Sequence, residues 1–309
     1  MRKGWLGGLI IVVAVVVVWL ATLWLSPRGE GRATGGEVGL VRIEGTIVDG
    51  RETGGIFGAM SGAETISEQL HEARRDPRIR AVVLRINSPG GSAAACHEIA
   101  AALGALRGDG KPVVAFLGET AASGAYWLAS QADRIVATPA TLTGSIGVIM
   151  ELQNLRGLMD KLGIQVEVIK SGAHKDMGAG WRALTSEERR LLQDMVDDIY
   201  RQFVQVVSEG RGLPEAKVLE LADGSLFTGR QALEKGLVDE LGDYELALRR
   251  ARELAGLPAG APVRALARPS PWEWLRSSLD TAYSDRYRLF APGLWLIAPA
   301  LVPWEGGGA

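Results

Sequence analysis

Residues 79–87 (IRAVVLRIN) carry four consecutive apolar groups, Ala81 to Leu84, flanked by Ile79 and Ile86, and the run breaks abruptly at Ser88-Pro89-Gly90-Gly91-Ser92. A strand covered on one face alternates apolar with polar residues, so a nearly continuous run reads as a strand buried on both faces. Residues 93–108 then carry apolar groups at helical spacing, and 111–118 (KPVVAFLG) form a second buried run. Strand, helix, strand in this order joins parallel neighbours through a crossover helix. The pattern persists through RIVATP at 134–139, TGSIGVIM at 143–150, a helix around 155–163 and a strand at 165–170. Upstream, residues 38–48 look like a strand pair around Gly45, and 63–76 show helical periodicity ending at Asp76-Pro77. The expected fold class is therefore α/β, a mostly parallel sheet covered by helices, with ligands gathered where strands turn into helices. At 309 residues with 47% hydrophobic content, the chain can bury the core of one large domain.

The two ends differ from this body. Arg2 and Lys3 precede an apolar run from Trp5 to Leu25, which as helix would rise about 30 Å and span a hydrocarbon core. No small-x-small cleavage site closes the run before Ser26-Pro27, so residues 1–25 are expected to be a cytoplasmic tip and retained single-pass anchor. Residues 26–37 are rich in Gly, Arg and Glu and read as a linker. The folded domain is expected over 38–257, outside the cytoplasm. Residues 258–309 hold Trp272, Trp274, Trp295 and Trp304 among prolines, a composition suited to lying on a neighbouring subunit, on a membrane interface, or over the chain's own domain. Within the domain, Thr185 and Glu188 form a capping-box signature that opens a long helix.

Several function classes fall away. A formal charge of −2 and a pI near 6.0 provide no basic field for nucleic acid. Cys96 is the single cysteine, and His71, His97 and His174 lack zinc-site spacing, so neither a disulfide nor a metal is expected. Gly178, Gly180 and Ala183 outline a dinucleotide fingerprint, but no strand feeds into it, and no cofactor is expected.

The chemistry-bearing residues are Ser123, in TAASGAYW, and Lys175, in SGAHKDMG. A serine hydroxyl needs a base beside it, and a desolvated lysine amine can serve. Small neighbours around Ser123 let a substrate backbone approach; the competing reading is an ordinary helix-cap serine. The glycines at 90 and 91 and the amide of Gly124 make a credible two-donor cradle for an oxyanion. Ser145, or alternatively Thr143, could hold the lysine head. Asp176 would raise the pKa of Lys175 if their charges met. Lys161, Lys170 and His174 are rival bases with weaker placement.

Together, NSPGGS at 87–92, ETAASGAYW at 119–127, ATPATLTGSIGV at 137–148, SGAHKDMG at 171–178 and FTGRQALEKGLVDELG at 227–242 resemble the signal peptide peptidase A family, in its short single-domain form. The resemblance runs from about Val38 to Leu254 and implies the ClpP/crotonase fold behind one N-terminal transmembrane helix. It implies a Ser/Lys serine endopeptidase of the bacterial cytoplasmic (inner) membrane that degrades remnant signal peptides. Residue by residue, it makes Ser123 the nucleophile, Lys175 the general base, Ser145 the lysine-positioning hydroxyl, and Gly90, Gly91 and Gly124 the oxyanion hole. It also implies a homo-oligomer whose sites combine serine and lysine from neighbouring subunits. The chain departs from the family pattern in one place, where Ala125 follows Gly124 in place of a second glycine. Alternatives are a same-dyad membrane peptidase with a dedicated target such as a stomatin-like protein, an acyl-CoA hydratase or isomerase on the same fold, and a non-catalytic membrane scaffold.

Overall fold

The computed structural model describes residues 36–266, except 52, 56 and 57, together with the short strand at 295–297. The expected membrane span at 5–25 lies outside the described residues, as do nearly all of the linker and most of the Trp- and Pro-rich segment. Among the described residues no helix is long and apolar enough to cross a membrane.

In chain order the elements are β1 (Glu37–Glu44), β2 (Thr46–Val48), β3 (Thr53–Gly55), β4 (Gly58–Gly62), α1 (Ala63–Arg75), β5 (Ile79–Ser88) and β6 (Gly90–Ser92). There follow α2 (Ala93–Gly108), β7 (Val113–Ala122), α3 (Gly124–Ala129), β8 (Arg134–Ala137), β9 (Leu142–Gly144), α4 (Arg156–Leu162) and α5 (Ser186–Arg211). The last are α6 (Glu215–Leu221), β10 (Leu226–Thr228), α7 (Gly229–Glu234), β11 (Glu240–Leu241), α8 (Tyr244–Leu254), β12 (Val263–Ala265) and β13 (Trp295–Ile297).

The larger sheet runs β10-β9-β7-β5-β1-β12, with β8 also pairing β7 and β11 pairing β8. Its ladders are parallel except for β9 with β10. The smaller sheet runs β13-β6-β2-β4-β3. Gly45, at φ +70°, turns the chain from β1 in the first sheet to β2 in the second; the two strands expected around it form, but each pairs within its own sheet. A mixed α/β body with a mostly parallel sheet is what a ClpP/crotonase-like fold requires.

The double-sided burial expected of residues 79–87 is visible in β5. Val82, Leu84 and Ile86 enter a cluster with Ile66 and Leu70 of α1, Ile99 and Leu103 of α2, and Phe203 of α5. Ala81 and Val83 enter a second cluster with Val114, Val136 and Leu248 of α8. Each fully buried aliphatic side chain of this kind contributes about 1.5–3 kcal/mol. Ser92 caps α2 by accepting from the Ala95 amide, and Cys96 is buried one turn in, where desolvation pushes its thiol pKa far up and leaves it a packing residue.

One reading changes. Residues 165–170 form no strand and pair with no described strand, and Val166, Val168 and Ile169 stay exposed, Ile169 at 96%. In α5 the capping box forms as expected, with Glu188 Oε2 accepting from the Thr185 amide at 2.9 Å. Leu191, Leu192, Met195, Ile199, Phe203 and Val206 recur along α5 at helical spacing; of these Phe203 is fully buried and Met195 is exposed. Both exposed stretches lie on either side of the turn that carries Lys175.

Short helix α3 is anchored from two directions. Trp127 packs on Phe203 with ring centroids 5.1 Å apart, and the buried Tyr126 hydroxyl donates to the Leu237 carbonyl at 2.8 Å. Tyr126→Phe leaves that carbonyl without its donor and is expected to cost about 1–3 kcal/mol of stability. A chemical-denaturation midpoint unchanged from wild type would show that the bond does not hold α3.

Candidate active site

Ser123 sits where β7 ends and α3 begins, at the edge of the parallel sheet where βα turns collect ligands. Its backbone has φ +53° and ψ −122°, outside the regions comfortable for a residue with a Cβ. The conformation is over-determined by its neighbours: the Ser123 amide donates to the Gly144 carbonyl at 2.8 Å, and its carbonyl accepts from the Trp127 amide at 2.9 Å. Ala121, Ala122, Gly124 and Ala125 are all buried, and their small size lets the turn close that tightly. The Ser123 side chain makes no cap bond to α3, so the helix-cap reading does not account for it. Its Oγ is buried and has no hydrogen-bond partner in the chain. A buried hydroxyl without a partner costs about 1–3 kcal/mol, and such groups in native proteins call for a functional explanation.

Ser145 occupies the equivalent place on the next strand. Ala122 pairs with Gly144 in the β7–β9 ladder, so Ser123 and Ser145 are the next residues along two neighbouring strands. Ser145 has φ +49°, and among the described residues only it and Ser123 combine a side chain with positive φ. Such strained backbones cost about 1–3 kcal/mol each and cluster at active sites. The Ser145 amide donates to the Ser225 carbonyl at 2.8 Å, which fixes the turn. Thr143, the alternative hydroxyl, is accounted for: its Oγ1 donates to the Ala121 carbonyl at 2.6 Å.

The Pro89-Gly90-Gly91 turn lies beside these residues because β5 pairs with β7, with Ser88 opposite Ala121. Gly90 has φ +107°, and its amide donates to Ser88 Oγ at 3.1 Å. Gly91 is buried where a Cβ would collide with the backbone of Ile47, so only glycine fits there. The Gly90 amide is therefore engaged by Ser88, while Gly91 lies in β6 in register with Ile47 of β2.

Lys175 lies elsewhere. It is exposed, in the turn-rich segment after residue 170, and its amide donates to the Gly172 carbonyl at 3.3 Å. Because Ser123 Oγ has no partner, one chain alone does not join the serine to the lysine. The neighbouring Asp176 is engaged away from it. Asp176 accepts from Lys170 Nζ at 2.7 Å and from the guanidinium of Arg182 at 2.7 and 2.9 Å. Arg182 also grips Glu188, the buried cap residue of α5. These hydrogen bonds hold the Asp176 carboxyl well below its ordinary range and that of Glu188 down at about 2. The clamp holds Lys170, Asp176, Arg182 and Glu188 in one ion-pair network. Lys161 is an exposed charge on α4, and His174 Nε2 lies 3.9 Å from Glu187.

Residues 105–258 match the model of peptidase family S49. The chain is 39% identical over 236 residues to a provisionally named protease of Synechocystis sp., covering 76% of this chain and 80% of that one. It is 38% identical over 224 residues to Protease 4 of Salmonella typhi, covering 72% of this chain but 35% of the relative's length. A protein of Enterococcus faecium provisionally named signal peptide peptidase SppA is 36% identical over 219 residues, with 71% of this chain and 64% of that one aligned. The chain belongs to peptidase family S49. The resemblance to signal peptide peptidase A is borne out at the family level, and hydratase chemistry on the same fold is set aside.

The clamp has a pH signature. Both carboxyls have folded-state pKa values below their ordinary 3.8 and 4.5, so their stabilisation is complete above those values and is lost as pH falls toward 2. Arg182→Leu should therefore flatten the fall in urea midpoint between about pH 4.5 and 2, besides lowering stability at neutral pH. An identical slope in the variant would refute the clamp.

Proposed function

We propose that the chain is a membrane-anchored serine endopeptidase in which Ser123 is the nucleophile and Lys175 the general base, and that its substrates are remnant signal peptides left in the membrane. The observation that carries this reading is the unpartnered, buried hydroxyl of Ser123 on a strained backbone beside Ser145 and the glycine turn. It would sit on the outer side of a bacterial cytoplasmic (inner) membrane, held by the apolar run at 5–25.

The neutral amine of Lys175 takes the proton from Ser123 Oγ as the oxygen attacks the scissile carbonyl carbon. The tetrahedral oxyanion accepts from the amides of Gly91 and Gly124, donors fixed before the reaction begins. The resulting ammonium passes its proton to the departing amine, and the C–N bond breaks to leave an ester on Ser123. Water, deprotonated by the same amine, hydrolyses that ester and regenerates the hydroxyl. The Ser145 hydroxyl orients Nζ without adding a charge.

The lysine comes from a neighbouring subunit. Val166, Val168 and Ile169 precede it as an exposed apolar segment that one chain leaves uncovered, and packing against another copy would cover them and desolvate Lys175. An apolar, extended peptide then fits a site that excludes water and recognises backbone through glycine amides.

Ser123→Ala and Lys175→Ala are each expected to lower kcat/KM for a synthetic signal peptide by about 10³-fold or more. Activity of the wild type should rise with pH along the titration of a basic group. Mixing the two inactive variants under subunit exchange should restore about a quarter of the sites, because a shared site can draw its serine from one variant and its lysine from the other. Retained cleavage in either variant, or no recovery in the mixture despite exchange, would overturn the shared dyad.

A further inference from the structure

We infer that Asp176 and Arg182 are positioning residues for Lys175: their clamp ties the turn that carries the lysine to the N-terminus of α5, so that the amine is presented to the serine at a fixed place. This role rests on the dyad reading above and adds to it the means by which an exposed lysine is held.

Lysine is a poorly fixed base. A flexible four-carbon stem separates its amine from the backbone, so the amine is placed no better than the turn beneath it. That turn has little backbone support. No helix or strand covers residues 163–185. The local bonds run from the Lys175 amide to the Gly172 carbonyl at 3.3 Å and from the Met177 amide to the His174 carbonyl at 3.0 Å. Side chains supply what the backbone lacks: Asp176, next to the lysine, is gripped by Lys170 from upstream and by Arg182 from downstream.

A guanidinium suits this task because it is a rigid fork that can hold two carboxylates at once. Arg182 Nε and Nη2 donate to Asp176, Nη1 and Nη2 donate to Glu188, and Nη1 also donates to the Ala183 carbonyl at 3.1 Å. The far end of the clamp is rigid. Glu188 accepts from the Thr185 amide at 2.9 Å, and its own amide donates to Thr185 Oγ1 at 3.1 Å. The helix they open is seated in the core through Phe203 and Val207. The side chains of Asp176 and Glu188 are 9% and 2% exposed, so these pairs are shielded from the solvent that weakens surface pairs. A catalytic group displaced by about 1 Å loses up to about 10²-fold in rate, which is the scale on which such a clamp acts.

Asp176→Ala releases the turn and leaves Arg182 on Glu188 with the cap of α5 intact, so it separates positioning from folding. In the full-length chain, on the alkaline plateau where the amine is already neutral, kcat for a synthetic signal peptide should fall about 10- to 100-fold with KM within about 2-fold of wild type. That split is expected when the base is displaced and the peptide groove is not. Arg182→Lys should show the same split, because one ammonium cannot reproduce the fork. An unchanged kcat in Asp176→Ala, with Lys175→Ala inactive, would overturn the positioning role and leave the dyad reading standing.

A second measurement does not depend on turnover. In the Ser123→Ala background, adding Asp176→Ala should quicken amide hydrogen exchange at Lys175 and Met177 about 10-fold and leave β5 and β7 unchanged. Unchanged exchange at those two amides would overturn the positioning role, whatever the kinetics show. If exchange responds as expected but Lys175→Ala cleaves like the wild type, the clamp orders the turn and the dyad reading fails.

Discussion

The backbone between β7 and α3, and its twin after β9, are held in a conformation that a side-chain-bearing residue resists. The resistance is overcome by the ladder that joins the two strands, by the Ser123 amide bonded to Gly144 and by the Ser145 amide bonded to Ser225. Those bonds come at the ends of strands already fixed by double-sided burial, so the body of the domain serves to keep two hydroxyl groups aimed where they would not otherwise point. The strain of the turns and the missing partner of Ser123 are small against the burial that surrounds them, but large enough that an idle site would be expected to relax them.

Much of this was readable from residue patterns. The apolar run at 79–87 indicated a strand covered on both faces, and β5 is one. The turns at Gly45 and at Gly90-Gly91 were legible, and both Gly45 and Gly90 adopt positive φ; small residues around Ser123 marked a place where chains come close. The different settings of Thr143 and Ser145 were not readable, because both are hydroxyls in one short turn and only the fold shows that Thr143 bonds to the Ala121 carbonyl. Nor did spacing reveal that Arg182 binds Asp176, since that contact is built by a loop folding back onto the cap of a helix.

The segment at 165–170 shows where pattern reading reaches its limit. Its alternation of Val166, Val168 and neighbouring polar residues is that of a strand with one covered face, and periodicity reports that a face wants cover without saying which molecule supplies it. The half-buried stripe of α5 carries the same ambiguity: Phe203, Val204 and Val207 meet the chain's own core, whereas Met195 does not. The pairing of β13 with β6 was equally hidden, because an edge made of Gly-Gly-Ser has almost no side-chain signature of its own.

The close approach of Gly91 to the Ile47 backbone has one more consequence. Main chain rests on main chain there, so the spot offers no lever by which a substitution could adjust it. In the proposed oxyanion role of this turn, any retuning of selectivity falls to the surrounding walls, and the charge-stabilising part stays the same whichever peptide passes through.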